Sequence, residues 1–544
     1  IMEIYGPNID VEGAKVDLVK TGLIKKAIQP IDVQSLYPSI MICLNLSYDT
    51  MQVNDREIDY ILKQEGLTEK DVTIDLFEDM GSINLHIGDL RDQINSTDPE
   101  VILSKIKGMI KYQDKKYSII KFKFQNDPSM AHPRRMLLVN EWFMKGLVPV
   151  IEVGYFNARV VIKKQLSAYK ETDVDFQIIN ARQNAIKVIM NSIYGLLNAK
   201  TFILKNEGLA SNVTLMGRHI IMCVRQFCID ILDLLVVYLD TDSNYLAFKS
   251  EVFKEQKLAY KSGSMTFREY EEYKIRYTYD KMAIYINIIN EYLKYLTKSV
   301  HIRMAVEEIL YPSYFKAKKN YICKKHFHGK FNSDFKVNGH NYAVKGGNQF
   351  KRDGIPILQE FIKEYIVNIF THCDRKDTIP TLMREQVVKY YERKYEPEEL
   401  EKFAKVEKFN QMAKNVSIHS FINRCKAEKE QAKESGNLGL YEAIPNIENS
   451  DKFKTIVVDH ITVDATGKKI KSFGKMSDRK ELLTKAQYLG LKPDMIAYLV
   501  KLSEYLGSFL YSENKTLAEI KKLTEDTIRS WCGFQQLTQL KAKW

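Results

Sequence analysis

The stretch "VVYLDTDSNYLAF", residues 236–248, decides the fold. Apolar residues approach and leave in strand-like alternation, with Thr241 and Asp242 between them, so the segment predicts two antiparallel strands joined by a tight polar tip. Asp240 and Asp242 stand two apart, and on extended backbone both would project to one face. Two carboxylates that close together repel and raise each other's pKa. Divalent cations relieve the repulsion, and hard oxygen ligands select Mg²⁺, with Mn²⁺ as the alternative. A plain polar hairpin turn is the other account of the same residues.

Working outward, "PIDVQSLYPSI" (30–40) ends a strand at Asp32 and starts a helix almost at once. Free amides at such a junction bind phosphate. Tyr37 lies within reach of the same ligand, although Ser35 as a simple N-cap explains the pattern too. In "RQNAIKVIMNSIYGLL" (182–197), Lys187, Asn191 and Tyr194 fall at i, i+4 and i+7 on one helix face. Ile186, Val188, Ile189 and Ile193 are left to pack inward. "FNARVVIKKQL" (156–166) sets Arg159 and Lys163 at i and i+4, a second cationic face. Taken singly, each is also what a solvated stripe looks like.

The chain has 544 residues, 45% of them hydrophobic, which is too long for one core. No apolar run reaches about 18 residues, so no membrane span is expected, and residues 1–10 carry no secretory signal. None of the seven cysteines forms a CxxC pair, which favours reduced thiols and an intracellular protein. The candidate metal cluster Cys323, His326, His328 is equally well explained by strand alternation. The net charge of +12 is uneven: residues 51–100 hold 13 Asp and Glu against 4 Lys and Arg, and residues 316–352 hold 10 Lys and Arg against Asp334 alone. A basic stretch of that kind is the footprint of a polyanion. Helical patterns run through 155–200, with a break at 170–175, and through 209–236 and 266–299. Mostly helical sequence follows residue 354, with a hairpin expected within 453–476. The acidic segment 51–140 reads as an insertion or small subdomain whose charge favours solvent or a protein partner over DNA.

In order, "DVQSLYPSI", "KVIMNSIYG" and "YLDTDS" resemble the A, B and C motifs of family B DNA polymerases. "EGAKV" (12–16), "KGLVPVI" (145–151), "TLMGRHII" (214–221), "EEILYPSYFKAKKNY" (307–321) and "KGGNQFKRDG" (345–354) resemble flanking elements of the same family. Val11 replaces a usual Tyr, and Leu239 replaces the Gly of the third motif. The resemblance implies an α+β right-hand polymerase, with an antiparallel-sheet palm, helical fingers and a mainly helical thumb. Residues 1–50 and 201–330 would form the palm, 51–140 the insertion, 141–200 the fingers and 331–544 the thumb and C-terminal tail.

It further implies template-directed addition of dNTPs to a primer 3′ end with two Mg²⁺ ions. Asp32, the Val33 carbonyl and Asp242 would hold the metals, with Asp240 an acidic neighbour of the catalytic pair. Ser35, Leu36, Tyr37, Arg159, Lys163, Lys187, Asn191 and Tyr194 would bind the dNTP. Lys318, Lys319, Tyr321, Lys345, Arg352 and Asp353 would follow the primer–template DNA. The 3′–5′ exonuclease common in the family has no motif in the 31 residues before Asp32, so it is expected in a missing N-terminal part or on a separate chain. A processivity factor or other replisome protein is an expected partner. "QQLTQLKAKW" (535–544) is one candidate docking segment for it, an ordinary helix end the other. The nucleic-acid-primed branch fits better than the protein-primed one. A large DNA virus or phage is the expected source, acting in the cytoplasm or nucleus of an infected host cell.

Overall fold

The computed structural model describes residues 16–18, 22–77, 79–122, 133–166, 168–170, 173–199, 201, 205–326, 342–346, 354–371, 379–410, 416–459, 461–463, 469–471, 479–503, 506–507 and 517–532. Its elements are β1 (Val16–Leu18), β2 (Gly22–Ile24), β3 (Ile28–Val33), α1 (Leu36–Cys43), β4 (Met51–Gln52), α2 (Asp55–Gln64), α3 (Glu69–Val72), α4 (Met80–Ile94), α5 (Pro99–Met109), β5 (Tyr117–Phe122) and β6 (Arg134–Val139). Then come α6 (Leu147–Leu166), α7 (Val174–Asn198), α8 (Glu207–Asp230), β7 (Leu235–Asp240), β8 (Ser243–Ala247), α9 (Lys254–Lys261), α10 (Phe267–Thr297), β9 (Met304–Val306), β10 (Ile309–Ala317), β11 (Asn320–His326) and β12 (Tyr342–Lys345). The rest are α11 (Pro356–Thr371), α12 (Ile379–Glu392), β13 (Lys405–Lys408), α13 (Val416–Glu434), α14 (Leu438–Ala443), β14 (Lys452–Val457), β15 (Ile461–Val463), β16 (Lys469–Lys471), β17 (Lys480–Leu482), α15 (Leu483–Tyr488), α16 (Met495–Val500) and α17 (Leu517–Trp531). Helices mix with antiparallel sheet, as an α+β chain requires.

The chain divides into two compact units. The first holds residues 26–313 together with 1–21 and 324–333. Its sheet runs β1-β7-β8-β3, all antiparallel, with β9 and the start of β10 also on β3. The register sets Asp32 opposite Ser243, and Asp240 opposite both Ser243 and Val16. The predicted strand pair is therefore present, but a turn separates its two aspartates.

Helix α8 takes up most of the helical pattern expected over 209–236. It buries 18 of its 24 residues, so it is a central helix rather than a surface one. Gly217 lets it pass α1 closely: a Cβ there would stand 3.4 Å from Leu36 and 3.6 Å from Ile40. Helix α10 starts where a capping box predicts: Thr266 Oγ1 accepts from the Glu269 amide, and the Glu269 carboxylate accepts from the Thr266 amide.

Segment 51–140 folds as α2–α5 around the sheet β4-β6-β5. Ile83, Ile87, Leu90 and Ile94 of α4, with Ile102 and Ile106 of α5, join the same core as α8, α10 and the long sheet. A smaller cluster of Ile58, Leu62, Val72, Ile119 and Leu137 closes its far side. Arg135 ties that side together, reaching Asp55, Asp59 and Glu69 at 2.8 Å each.

The second unit, mainly residues 334–544 with 22–25 and 314–323, has its own core. Apolar faces of α11, α12 and α16 build it, including Phe361, Tyr365, Tyr390 and Leu499. A three-stranded sheet β13-β14-β17 accompanies them. The hairpin expected within 453–476 is β15–β16; β14 pairs instead with β13 and β17, because its alternate residues Phe453 and Thr455 are buried there. Among the described residues no helix is long and apolar enough to cross a membrane.

Candidate active site

The tip between β7 and β8 is a three-residue turn. The Asp242 amide donates to the Asp240 carbonyl at 2.6 Å, and Thr241 between them has φ 58°. This is a positive-φ γ-turn, a strained conformation for a β-branched residue. It separates the two aspartates. Asp240 is only 2% exposed and its carboxylate accepts from Thr241 Oγ1 at 3.2 Å, whereas Asp242 faces a cavity. The single shared face expected for Asp240 and Asp242 is absent, because the backbone between them is not extended.

Asp242 shares the cavity with Asp32 instead. The Val33 amide donates to the Asp242 carbonyl at 2.9 Å, locking the turn onto β3. Ser243 Oγ lies 2.8 Å from Asp32 Oδ1 and 3.4 Å from Asp242 Oδ1, so one hydroxyl proton serves two carboxylates. Burial and the charge of Asp242, with a smaller push from Glu307, raise the Asp32 pKa to about 7; Ser243 and Lys187 work in the other direction. Two carboxylates that crowd each other in this way are short of positive charge, the condition a divalent cation satisfies.

The cavity has a volume of about 590 Å³. Asp32, Val33, Ser35, Leu36 and Tyr37 from β3 and α1, Arg159 and Lys163 from α6, Lys187, Asn191 and Tyr194 from α7, and Asp242 all line it. Every expected metal and dNTP residue is thus gathered here; Asp240, expected as an acidic neighbour of the catalytic pair, is not among the lining residues. The Tyr37 and Tyr194 rings lie 4.3 Å apart at 41°. Burial together with the charges of Arg159 and Lys187 pushes the Lys163 pKa down, and burial does the same to Arg159. Arg159 is steadied by Gln183 Oε1 at 3.3 Å and Ser35 Oγ at 3.4 Å. Ser35 does not cap α1: its φ of 55° leaves the side chain without a cap hydrogen bond. Phe156, Val160, Thr241, Ala305, Val306 and Glu307 also line the cavity and were not singled out from sequence. Glu307 did open a quoted family segment, which was its one visible signal.

Other expectations fare differently. Val188 and Ile189 of α7 are exposed rather than packed inward. Leu239 is fully buried in the core. Lys318 and Lys319 form the exposed β10–β11 turn of the second unit, and Lys345 is exposed on β12. Gly346, at φ 72°, is confined by that turn, since a Cβ would sit 2.2 Å from the Lys319 carbonyl. Tyr321 is buried, its ring 5.2 Å from Phe315, so it supports the turn rather than facing solvent. Arg352, Asp353 and residues 535–544 lie outside the described residues, as does most of 12–16. Cys323 is buried and His326 Nε2 lies 2.6 Å from the Tyr311 carbonyl, while His328 is outside the described residues.

Residues 6–268 match the family model described as DNA polymerase family B. The chain is 25% identical over 397 residues to the DNA polymerase beta of an African swine fever virus isolate, covering 66% of this chain and 32% of that protein. It is 27% identical over 271 residues to DNA polymerase 120R of Invertebrate iridescent virus 3, covering 45% and 22%. It is 29% identical over 249 residues to a DNA polymerase of Pyramimonas orientalis virus, covering 44% and 20%. The chain spans about a third of the length of the African swine fever virus relative.

Proposed function

Because this chain belongs to DNA polymerase family B, with relatives among the polymerases of large DNA viruses, we propose that it carries out template-directed DNA synthesis. One observation carries the reading: a single cavity holds the carboxylates of Asp32, Asp242 and Glu307 together with the cations of Arg159, Lys163 and Lys187. That is the charge pattern of an incoming dNTP beside a primer terminus.

The primer 3′-hydroxyl gives up its proton to solvent, its oxygen forms a bond to the α-phosphorus, the α–β bridging bond breaks, and pyrophosphate leaves. Such a displacement needs positioning and charge neutralisation more than covalent help. Arg159, Lys163 and Lys187 hold the triphosphate; their mutual repulsion falls when the polyanion enters. Asn191 orients the nucleotide. Tyr37 stacks under the deoxyribose and crowds a 2′-hydroxyl, and Tyr194, against Tyr37, flanks the nascent pair. Asp32 and Asp242, with the Val33 carbonyl, would hold two Mg²⁺, which supply a lowered 3′-hydroxyl pKa and charge neutralisation at the leaving group. Ser243 orients both carboxylates. Asp240, turned away from the cavity, acts through the shape of the turn.

In this reading residues 1–50 and 201–330 serve as palm, 141–200 as fingers and 331–544 as thumb. Lys318, Lys319, Lys345, Arg352 and Asp353 follow the DNA backbone, which positions a duplex without reading its sequence. Tyr321 supports the first two from beneath. Closure of α6 and α7 on a correct pair would precede chemistry.

The test is primer extension on a primed template with Mg²⁺ and four dNTPs, beside Asp242→Asn. Extension by the wild type and its loss in the variant, with DNA binding retained, is the expected result. Equal extension by both would remove Asp242 from the chemistry. Binding without extension by the wild type would leave a DNA-binding scaffold.

A further inference from the structure

The first unit has a second cavity, of about 450 Å³, between the end of α10, the end of α1 and the β5–β6 segment. The polymerase reading assigns it no role. Phe77, His86 and Tyr295 wall it, with Phe77 and His86 rings 4.9 Å apart and His86 stacked on Tyr295 at 6.1 Å and 17°. Two of its polar groups are carboxylates. Glu141 uses one carboxylate oxygen on His301 Nε2 at 2.8 Å, and that contact holds its pKa below the usual range, so the carboxylate is charged at neutral pH. Asp75 adds a second carboxylate at the rim. His86 Nε2 is buried with no hydrogen-bond partner, and burial pushes the ring towards its neutral form. Lys298 is the one lysine or arginine among the described lining residues.

We propose that this cavity is a socket for an arginine side chain presented by a partner protein. A guanidinium is planar and donor-only, so it satisfies carboxylates while lying against aromatic faces. A phosphate, acceptor-only, would meet Glu141 and Asp75 instead. The surroundings point to a protein rather than a free small molecule. Trp142, Tyr112 and Phe143 are 56%, 55% and 53% exposed, an aromatic apron of the kind that anchors interfaces. Trp142 is held in place, its indole Nε1 donating to the Lys115 carbonyl at 2.9 Å.

The experiment uses the full chain and ligand-observed saturation-transfer NMR. The probes are the blocked tripeptide Gly-Arg-Gly, its citrulline counterpart and 2′-deoxyguanosine. The arginine peptide should bind, and the citrulline peptide should bind at least about fivefold more weakly, because it loses the cation. Glu141→Gln and Trp142→Ala should each weaken the arginine peptide by about fivefold or more. Asp242→Asn should leave binding unchanged, which separates this site from the first cavity. Trp142→Ala removes an exposed side chain, so it keeps the test informative if Glu141→Gln disturbs folding. Primer extension should be the same in wild type and Trp142→Ala. The proposal is overturned if no arginine binding is seen, if citrulline binds equally, if neither variant weakens binding, or if 2′-deoxyguanosine displaces the peptide and so marks a nucleobase site.

Discussion

Helices α7 and α8 are nearly equal in length, 25 and 24 residues, and are held in opposite ways. Helix α8 is buried along almost its whole circumference, with Phe227 stacked 4.1 Å from Tyr292. Helix α7 has buried side chains at Gln183, Met190 and Leu197, seven residues apart, a single narrow seam. The difference teaches where rigidity is placed. The carboxylates sit on a sheet braced by α8, and the cations that line the first cavity sit on helices with little core of their own. Low burial is what a moving element needs.

The largest effect that would break this contrast is on α8. Phe227→Ala should destabilise the protein by about 3–5 kcal/mol, read as a drop in the thermal midpoint; a cost below about 1 kcal/mol would mean α8 is not the fixed side. Next comes Lys187→Ala on α7. It should lower kcat/KM for dNTP incorporation by about a hundredfold while the melting temperature stays put. A large loss of stability there would show α7 to be structural after all.

A third test sits on α6, which packs against α7. Glu152 is fully buried, both its carboxyl oxygens lack hydrogen-bond partners, and burial pushes its pKa from 4.5 up to about 8. The folded state therefore keeps a proton that the unfolded chain releases, so stability falls as pH rises from about 4.5 to about 8. Glu152→Leu should stabilise the protein by about 1–3 kcal/mol at pH 8, and its advantage over the wild type should shrink at pH 5. A pH-independent difference in melting temperature would refute the buried-proton account. The smallest effect belongs to Val188→Thr. Val188 is 67% exposed, and its replacement should change stability by less than about 0.5 kcal/mol; a larger loss would reveal a covered face.

Much of the site was legible because it is local. Residues 236–248 announce a strand, a turn and a strand, and helical spacing alone puts Lys187, Asn191 and Tyr194 on one face. What failed depends on packing or on exact turn geometry. The γ-turn at Thr241 rotates Asp240 out of the cavity, and no alternation rule foresees a backbone hydrogen bond of that kind. The apolar residues Val188 and Ile189 look like core in any periodic reading; they are exposed because nothing in the described structure covers that face. Glu307 reaches the cavity beside β9, which pairs with β3 across more than 270 residues, a distance that local pattern cannot span.

The acidic segment has a consequence for how this chain can change over generations. Its charged surface looks like ornament, yet Ile83, Ile87, Leu90, Ile94, Ile102 and Ile106 are core residues of the first unit. At roughly 1.5–3 kcal/mol for each fully buried aliphatic side chain, losing them together removes on the order of 10 kcal/mol, comparable to the whole stability of a domain. A lineage that carries the segment cannot shed it in one deletion, however dispensable its outer face becomes. Its surface is free to drift towards new partners, while its inner face ties every such experiment to the survival of the first unit.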